Sequence, residues 1–554
     1  MLGLALAVAG AFVLWETRGT YFWFDEWIWI AERRDFSASA FLEPHNQHLS
    51  LVPVAIYRLL FETVGLEHYW PYRALLVAGH LTCALMLFLY ARPRVGPVLG
   101  VAAAVVLLFL GPGSQNILWP FQIGWLISIA AGVGALLALD RRGRSADVVA
   151  AVLLAVSLAS SGVGAPFIVA AGVEVALGRR RWRDGLIVAA PLALYALWWL
   201  VYQEPGPRAH LPLGDVPPYI VRSAGASLLS LFGLFRPDAP FLKRPDVSLL
   251  ASLAVLLPAV ALAAWRLHGL HRVPVRLIAL LAGVLTFWTL TAIQRGVLAP
   301  PGTSRYLYVG SLFVLLIAVE LGRGAVARRP VAAALVLIAL AAAAYNVPLL
   351  REVGAGLREA GERTRVATGV LELARPNARS RDALSILPGY PVVSITAGEY
   401  FASERAWGPV SAATAAQIAG TSPDIRLAAD QELARIDRAS VRGAAAPRRE
   451  GGPPQIDAVA GGRVERAGAC TRLNSGSAPG GQIDLTLPRA GVLVRAEGGP
   501  ATLSVRRFGD FFIPKPLATV RPARAIHLSI PPDRAPQPWH VRVRARSGAT
   551  VCSA

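Results

Sequence analysis

Asp25 and Glu26 stand side by side in YFWFDEWIWI (21–30), a stretch otherwise aromatic and β-branched. An apolar shell strips water from a carboxylate, raises its pKa and makes it a stronger base. Such a group is suited to taking a proton from a hydroxyl. The plain alternative is a solvated loop with two ordinary acids. The same loop continues to EPHNQHLSLVP (43–53), where His45 and His48 bracket Asn46 and Gln47. Imidazoles at i and i+3 could ligate a metal, contact sugar or phosphate, or cap the following helix. No cysteine or HExxH pattern accompanies them, so neither metal nor cofactor is expected.

Arg58, Arg295, Arg305 and Tyr306 are the candidates for holding an anion or a sugar. The last three lie in QRGVLAPPGTSRYLYVG (294–310). Lipid-headgroup snorkelling is the competing reading of those arginines. SQNILWPFQIGW (114–125) mixes Asn116, Trp119, Gln122 and Trp125, amides and aromatic faces of the kind that bind sugars. An interfacial aromatic belt would look similar. No Gly-rich phosphate loop, GxSxG or CxxC pattern is present.

The elements that must position these residues follow from composition. The chain has 554 residues, 54% hydrophobic and only 16% charged, with a mean hydropathy of +0.48. Apolar runs recur to about residue 349 and then stop, which predicts a polytopic helical membrane domain over 1–350. Eleven spans are expected, at 2–15, 70–90, 97–111, 120–139, 148–160, 164–177, 185–202, 247–265, 277–293, 305–321 and 330–349. The first is read as a retained span. The segments 49–66 and 219–235 carry Arg58 and Arg222 and read as interfacial or half-buried helices on the outer side.

The net charge is +20, but the arginines are not arranged for nucleic acid. Fifteen of them fall in five short loops: Arg92 and Arg94; Arg141, Arg142 and Arg144; Arg179, Arg180, Arg181 and Arg183; Arg266, Arg272 and Arg276; Arg323, Arg328 and Arg329. Positive loops face the cytoplasm. The N-terminus is then inside and the tail outside the cytoplasmic membrane. Residues 351–455 read as a mixed helical region, with 425–454 ending in a linker. Residues 456–554 alternate in short runs and predict a small β-sandwich, with glycan binding as its candidate role. Cys470 and Cys552 would staple its first and last strands, or remain two thiols. Cys83 reads as a core residue.

One resemblance appears at this point. An acidic pair after the first span, HxxHL opening a Pro-containing helix, and a second span entered through YWPYRALL resemble the GT-C superfamily of membrane glycosyltransferases. That group includes protein O-mannosyltransferases, aminoarabinose lipid A transferases and mycobacterial arabinosyltransferases. The resemblance covers residues 1–95 best. It implies a catalytic acid in the first outer loop, falling on Asp25 with Glu26 beside it. It also implies a polyprenyl-phosphate sugar donor, an acceptor glycan, lipid or protein of the cell envelope, and no metal. The rival classes are a lipid-linked glycan flippase and a non-catalytic envelope assembly protein.

Overall fold

The computed structural model describes residues 1–178, 182–203, 211–236, 246–269, 272–324, 329–384, 395–444, 452–475 and 480–554. The chain divides into two compact units: Met1–Thr20 with Glu32–Glu359, and Tyr21–Ala31 with Ala360–Ala554. The boundary expected at 350 moves into the long helix Arg329–Leu373. The segment holding Asp25 and Glu26 belongs with the tail.

Every one of the eleven apolar segments is helical. Seven helices are long and apolar enough to cross a membrane: Trp70–Val95, Pro120–Leu139, Arg183–Tyr202, Leu249–His268, Val275–Arg295, Ser304–Leu321 and Arg329–Leu373. Pro97–Leu108 with Gly111–Leu118 makes an eighth, bent by 53°. The remaining three, Leu2–Glu16, Arg144–Ser160 and Gly164–Leu177, are shorter. The first unit is thus a polytopic helical membrane domain. The bend frees the Leu108 carbonyl, which lies 3.2 Å from Nε2 of buried His80. Nδ1 of the same ring lies 2.9 Å from Tyr308 Oη. Glycine is needed inside the bend, because a Cβ on Gly111 would come within 2.9 Å of the Asn346 carbonyl.

Two of the loop arginines turn out to be structural. Arg94 is buried against Glu320, with Asp140 at 2.9 Å. Arg276 binds Glu174 at 2.7 Å and Asp140 at 3.1 Å. Tyr90 donates to Glu320 at 2.6 Å. A buried guanidinium needs partners, and these acids sit one helix away, so Arg94 and Arg276 knit helix ends together instead of facing headgroups. Arg141, Arg142 and Arg144 stay exposed. Arg179, Arg180, Arg181 and Arg328 lie outside the described residues.

Most of the segment 219–235, expected as an interfacial or half-buried helix, is helical. Helix Val216–Leu231 packs among Leu249–His268, Val275–Arg295 and Ser304–Leu321. Its small face permits close approach: a Cβ on Gly225 would fall 2.4 Å from Ser252 Cβ. Helix Leu51–Thr63 buries Tyr57 and Phe61 on one face and exposes Leu59 on the other.

In the second unit, a helix precedes the run read as a linker. Helix Pro423–Ile436 buries Ile425, Ala429, Leu433 and Ile436 at helical spacing. Its Asp430 carboxylate accepts the amides of Arg507, Phe508 and Gly509 at 2.8–2.9 Å. Strand Ser440–Ala444 then joins a sheet, and 445–451 lie outside the described residues, as does most of SILPGYPVVSI.

The β region is a pair of antiparallel sheets, of five strands and of six. Inward-facing Val492, Val494, Leu503, Val505, Val541 and Val543 fill the core, the period-2 pattern of half-buried strands. Cys470 and Cys552 are disulfide-bonded. They face each other on adjacent strands, Cys470–Ser475 and Ala549–Ser553, of the six-stranded sheet. The bond therefore ties the last strand to its neighbour. The strand expected as its partner in first position is preceded by Ser440–Ala444 and two others.

A buried acid makes this unit pH-sensitive. Burial, with Asp533 beside it, pushes the Asp437 carboxyl up to about 8. Asn377 donates to Asp437 at 2.9 Å, and Arg507 holds Asp533 at 2.5 Å. A folded-state pKa raised above the unfolded value gives stability that is full below about pH 4 and is lost as pH rises through about 8. Thermal unfolding of the full chain should therefore show a tail transition that falls between about pH 4 and 8. Asp437→Asn should flatten that fall; an unchanged slope would contradict the assignment.

Candidate functional site

The acidic pair belongs to the tail unit. Residues Asp25–Glu32 form an eight-residue helix. Phe24, just before it, has φ of 50°, a left-handed conformation that is costly for a bulky aromatic. The turn is closed by Glu26 N–H to Trp23 O at 3.2 Å and Trp27 N–H to Phe24 O at 3.0 Å. The Glu26 carboxylate reaches back and accepts the Trp23 N–H at 2.9 Å. This is the acidic half of a capping box, made without a Ser or Thr. Asp25 and Glu26 are 4% and 0% exposed. The aromatic shell is real: Trp27 donates to Phe22 O at 3.1 Å and stacks edge-on to its ring, while Trp23 and Trp29 are also buried. Of the pair, Glu26 holds the turn. Asp25 sits in the first helical turn, where the helix dipole favours negative charge.

The remaining candidates belong to the membrane unit, at the end of the bundle away from the ionic cluster. His45–Asn46–Gln47–His48 is a two-residue hairpin turn. Asn46 and Gln47 have φ of 50° and 67°, as a type I′ turn requires. His45 and His48 exchange both backbone hydrogen bonds at 3.0 Å. The pair that was read as a helix entry thus stands side by side across a tiny ladder. His48 rests on Gly162, where a Cβ would come 2.7 Å from Nδ1. His45 meets the Phe121 ring edge-on at 5.4 Å.

Burial lowers the His45 pKa to about 3, helped by Arg33, His48 and Arg295. Burial lowers that of His48 to about 4, helped by Arg295 and Arg305. Both rings are neutral at pH 7. They are hydrogen-bonding groups, and the positive charge here comes from the arginines. Arg295 also donates to the Asn46 carbonyl and so braces the turn. Arg305 opens helix Ser304–Leu321. Ser304 Oγ accepts the Gln115 N–H at 3.0 Å, which ties that helix start to the SQNIL turn. Tyr306 packs edge-on against Trp125 at 5.4 Å, and Trp119 stacks on Phe121 at 5.2 Å. Asn116 and Gln122 are 0% and 1% exposed. Among the described residues, neither amide atom of Asn116 nor Oε1 of Gln122 has a hydrogen-bond partner. An unpaired buried polar group costs about 1–3 kcal/mol.

Arg58 has another use. It donates to the Arg33 and Asp35 carbonyls at 2.6 and 2.9 Å and to Glu62 at 3.1 Å, and lies over the Phe36 ring. Its donors fasten the loop and leave little for a phosphate, a correction to its reading as a ligand. Arg33 was missed. It donates to the carbonyls of Ser39, Ala40 and Glu43 at 2.9–3.1 Å, shaping the approach to His45. Among the described residues no group of three His, Cys, Asp or Glu side chains could hold a metal.

No protein-family model matches the chain, and no curated protein does. Among solved structures, the chain is similar to a cryo-EM structure of arabinofuranosyltransferase AftD from Mycobacteria. The identity is 16% and the TM-score 0.31, with all of this chain and 60% of that chain covered. The chain thus spans about 60% of the length of that structure. A match at this level places no residue of the site.

Proposed function

We propose that the chain is a GT-C-type inverting glycosyltransferase. It moves a sugar from a polyprenyl-phosphate donor to a glycan, lipid or protein acceptor of the cell envelope, on the outer side of the cytoplasmic membrane. The observation that carries the reading is the group at one end of the helical bundle. Arg295 and Arg305 supply charge, His45 and His48 are neutral donors, and the buried Asn116 amide and Gln122 Oε1 have no hydrogen-bond partner among the described residues. This is the composition expected for a phosphate with a sugar attached. Apolar helices of membrane-spanning length in the same unit suit a donor whose lipid lies in the bilayer.

In the proposed reaction the Asp25 carboxylate takes the proton of the acceptor hydroxyl. The hydroxyl oxygen bonds to the anomeric carbon as the bond from that carbon to the phosphate oxygen breaks. The lipid phosphate leaves with the electron pair, its charge met by Arg295 and Arg305. A single displacement inverts the anomeric configuration. The test is transfer by the full chain in nanodiscs, using a panel of polyprenyl-phosphate sugars beside nucleotide sugars. Transfer from a lipid donor with inversion is expected. Translocation of a lipid-linked glycan without transfer would make the chain a transporter. Neither activity, with loss of function on deleting 456–554, would make it an assembly protein. The orientation has its own check. A reporter active only outside the cytoplasm, fused after Ala554, should work, and one fused within 140–144 should fail.

A further inference from the structure

We infer that the tail holds the proposed base in place, through Trp407 and, more weakly, Ser403. These are positioning residues for Asp25, and the inference rests on the functional reading above. A helix of eight residues is far below the length of about 12–15 at which an isolated helix becomes even marginally stable. Something outside it must fix its geometry. Its N-terminal turn is held by Glu26. The last carbonyls of a helix find no partners within it, and for Ile30 the tail supplies them. The Trp407 indole N–H donates to the Ile30 carbonyl at 3.1 Å. Ser403 Oγ lies 3.2 Å from the same carbonyl. That hydroxyl also lies 2.8 Å from Glu399 O. Its single proton is shared, so Trp407 is the stronger holder.

Tyr400, Ser403 and Trp407 lie at i, i+3 and i+7 on helix Ala397–Trp407, one continuous face. Tyr400 completes the contact by packing on Trp27, with ring centroids 6.5 Å apart. This face is itself rigid. A capping box between Thr396 and Glu399 starts the helix. Arg375 bridges Glu372 and Glu404 at 2.5 Å each, and Tyr400 donates to Glu372 at 2.9 Å. The other end of the acidic segment is held too: the Ser411 N–H donates to Tyr21 Oη at 2.9 Å, and Arg365 lies over the Tyr21 ring. Every anchor of YFWFDEWIWI named here comes from residues beyond 360. A tail built this way is part of the proposed catalytic machinery.

The test is steady-state transfer by the full chain, with Trp407→Phe, Ser403→Ala and the double variant measured alone and in an Asp25→Asn background. Trp407→Phe keeps an aromatic ring but removes the N–H donor together with part of the buried indole, so the comparison across the two backgrounds separates lost packing from lost positioning. A small misplacement of a catalytic group can cost on the order of 10²-fold. The double variant should therefore lose about tenfold or more in kcat, with KM for the donor unchanged. In the Asp25→Asn background it should lose nothing further, because there is no base left to position. A merely structural role would lower the active fraction and act equally in both backgrounds. Unchanged kcat in the folded double variant, or an equal loss in both backgrounds, overturns the inference. An Asp25→Asn enzyme with full activity overturns the functional reading beneath it.

Discussion

Asp25→Asn is expected to lower the rate of sugar transfer by about 10²–10⁴-fold, the usual worth of general-base assistance, while leaving thermal stability nearly unchanged. The amide keeps the size and shape of the carboxylate. It cannot accept the acceptor's proton. Glu26→Gln should cost far less, because a Gln carbonyl can still accept the Trp23 N–H that Glu26 accepts now. Glu26→Ala should behave differently again, since it removes the turn closure and lets the short helix fray. The measurement is single-turnover transfer in nanodiscs beside a thermal-unfolding control. A dead Glu26→Gln with an active Asp25→Asn would exchange the two roles. Full activity in both would leave the acids as buried structure only.

The second large effect is expected at the cationic end of the bundle. Arg295→Ala with Arg305→Ala should lower kcat/KM for a lipid-phosphate donor by about 10²–10⁴-fold. Each hydrogen bond to a charged group is worth about 1.5–3 kcal/mol, and two are removed. Arg305→Ala alone is the cleaner half of the experiment, because Arg295 also braces the Asn46 carbonyl and its loss loosens the turn. Lysine at 305 should restore part of the affinity, as a point charge without the planar fork. If these arginines only snorkel to headgroups, kcat/KM stays within about twofold for all three variants.

Local signals in the sequence were sufficient for some of this and not for the rest. The apolar runs predict helices that all form, because helical burial in a membrane depends on the run itself. The acidic pair announces itself by its aromatic neighbours within ten residues, and those neighbours do bury it. The fate of Glu26 was not legible, since its cap uses the backbone N–H of Trp23 and no Ser or Thr marks it. HNQH carries the Asn of a type I′ turn, but no strands flank it, and the pattern reads as a helix entry. Arg94 and Arg276 satisfy the positive-inside pattern equally well whether paired or free. Only the fold shows that Asp140, Glu174 and Glu320 reach them. The helix Pro423–Ile436 had its apolar spacing in plain sight, obscured by the Pro- and Gly-rich run after it. Trp407 and Ile30 are separated by 377 residues, and no periodicity encodes such a contact.

The central claim is that a lipid-linked phosphate is handled at the end of the bundle where Arg295 and Arg305 lie. A cryo-EM structure of the full chain in nanodiscs with a polyprenyl monophosphate tests it most directly. Phosphate density within hydrogen-bonding reach of Arg295 or Arg305, and beside His48, is the predicted result. Phosphate bound instead among Arg141, Arg142 and Arg144 at the opposite helix ends would contradict it.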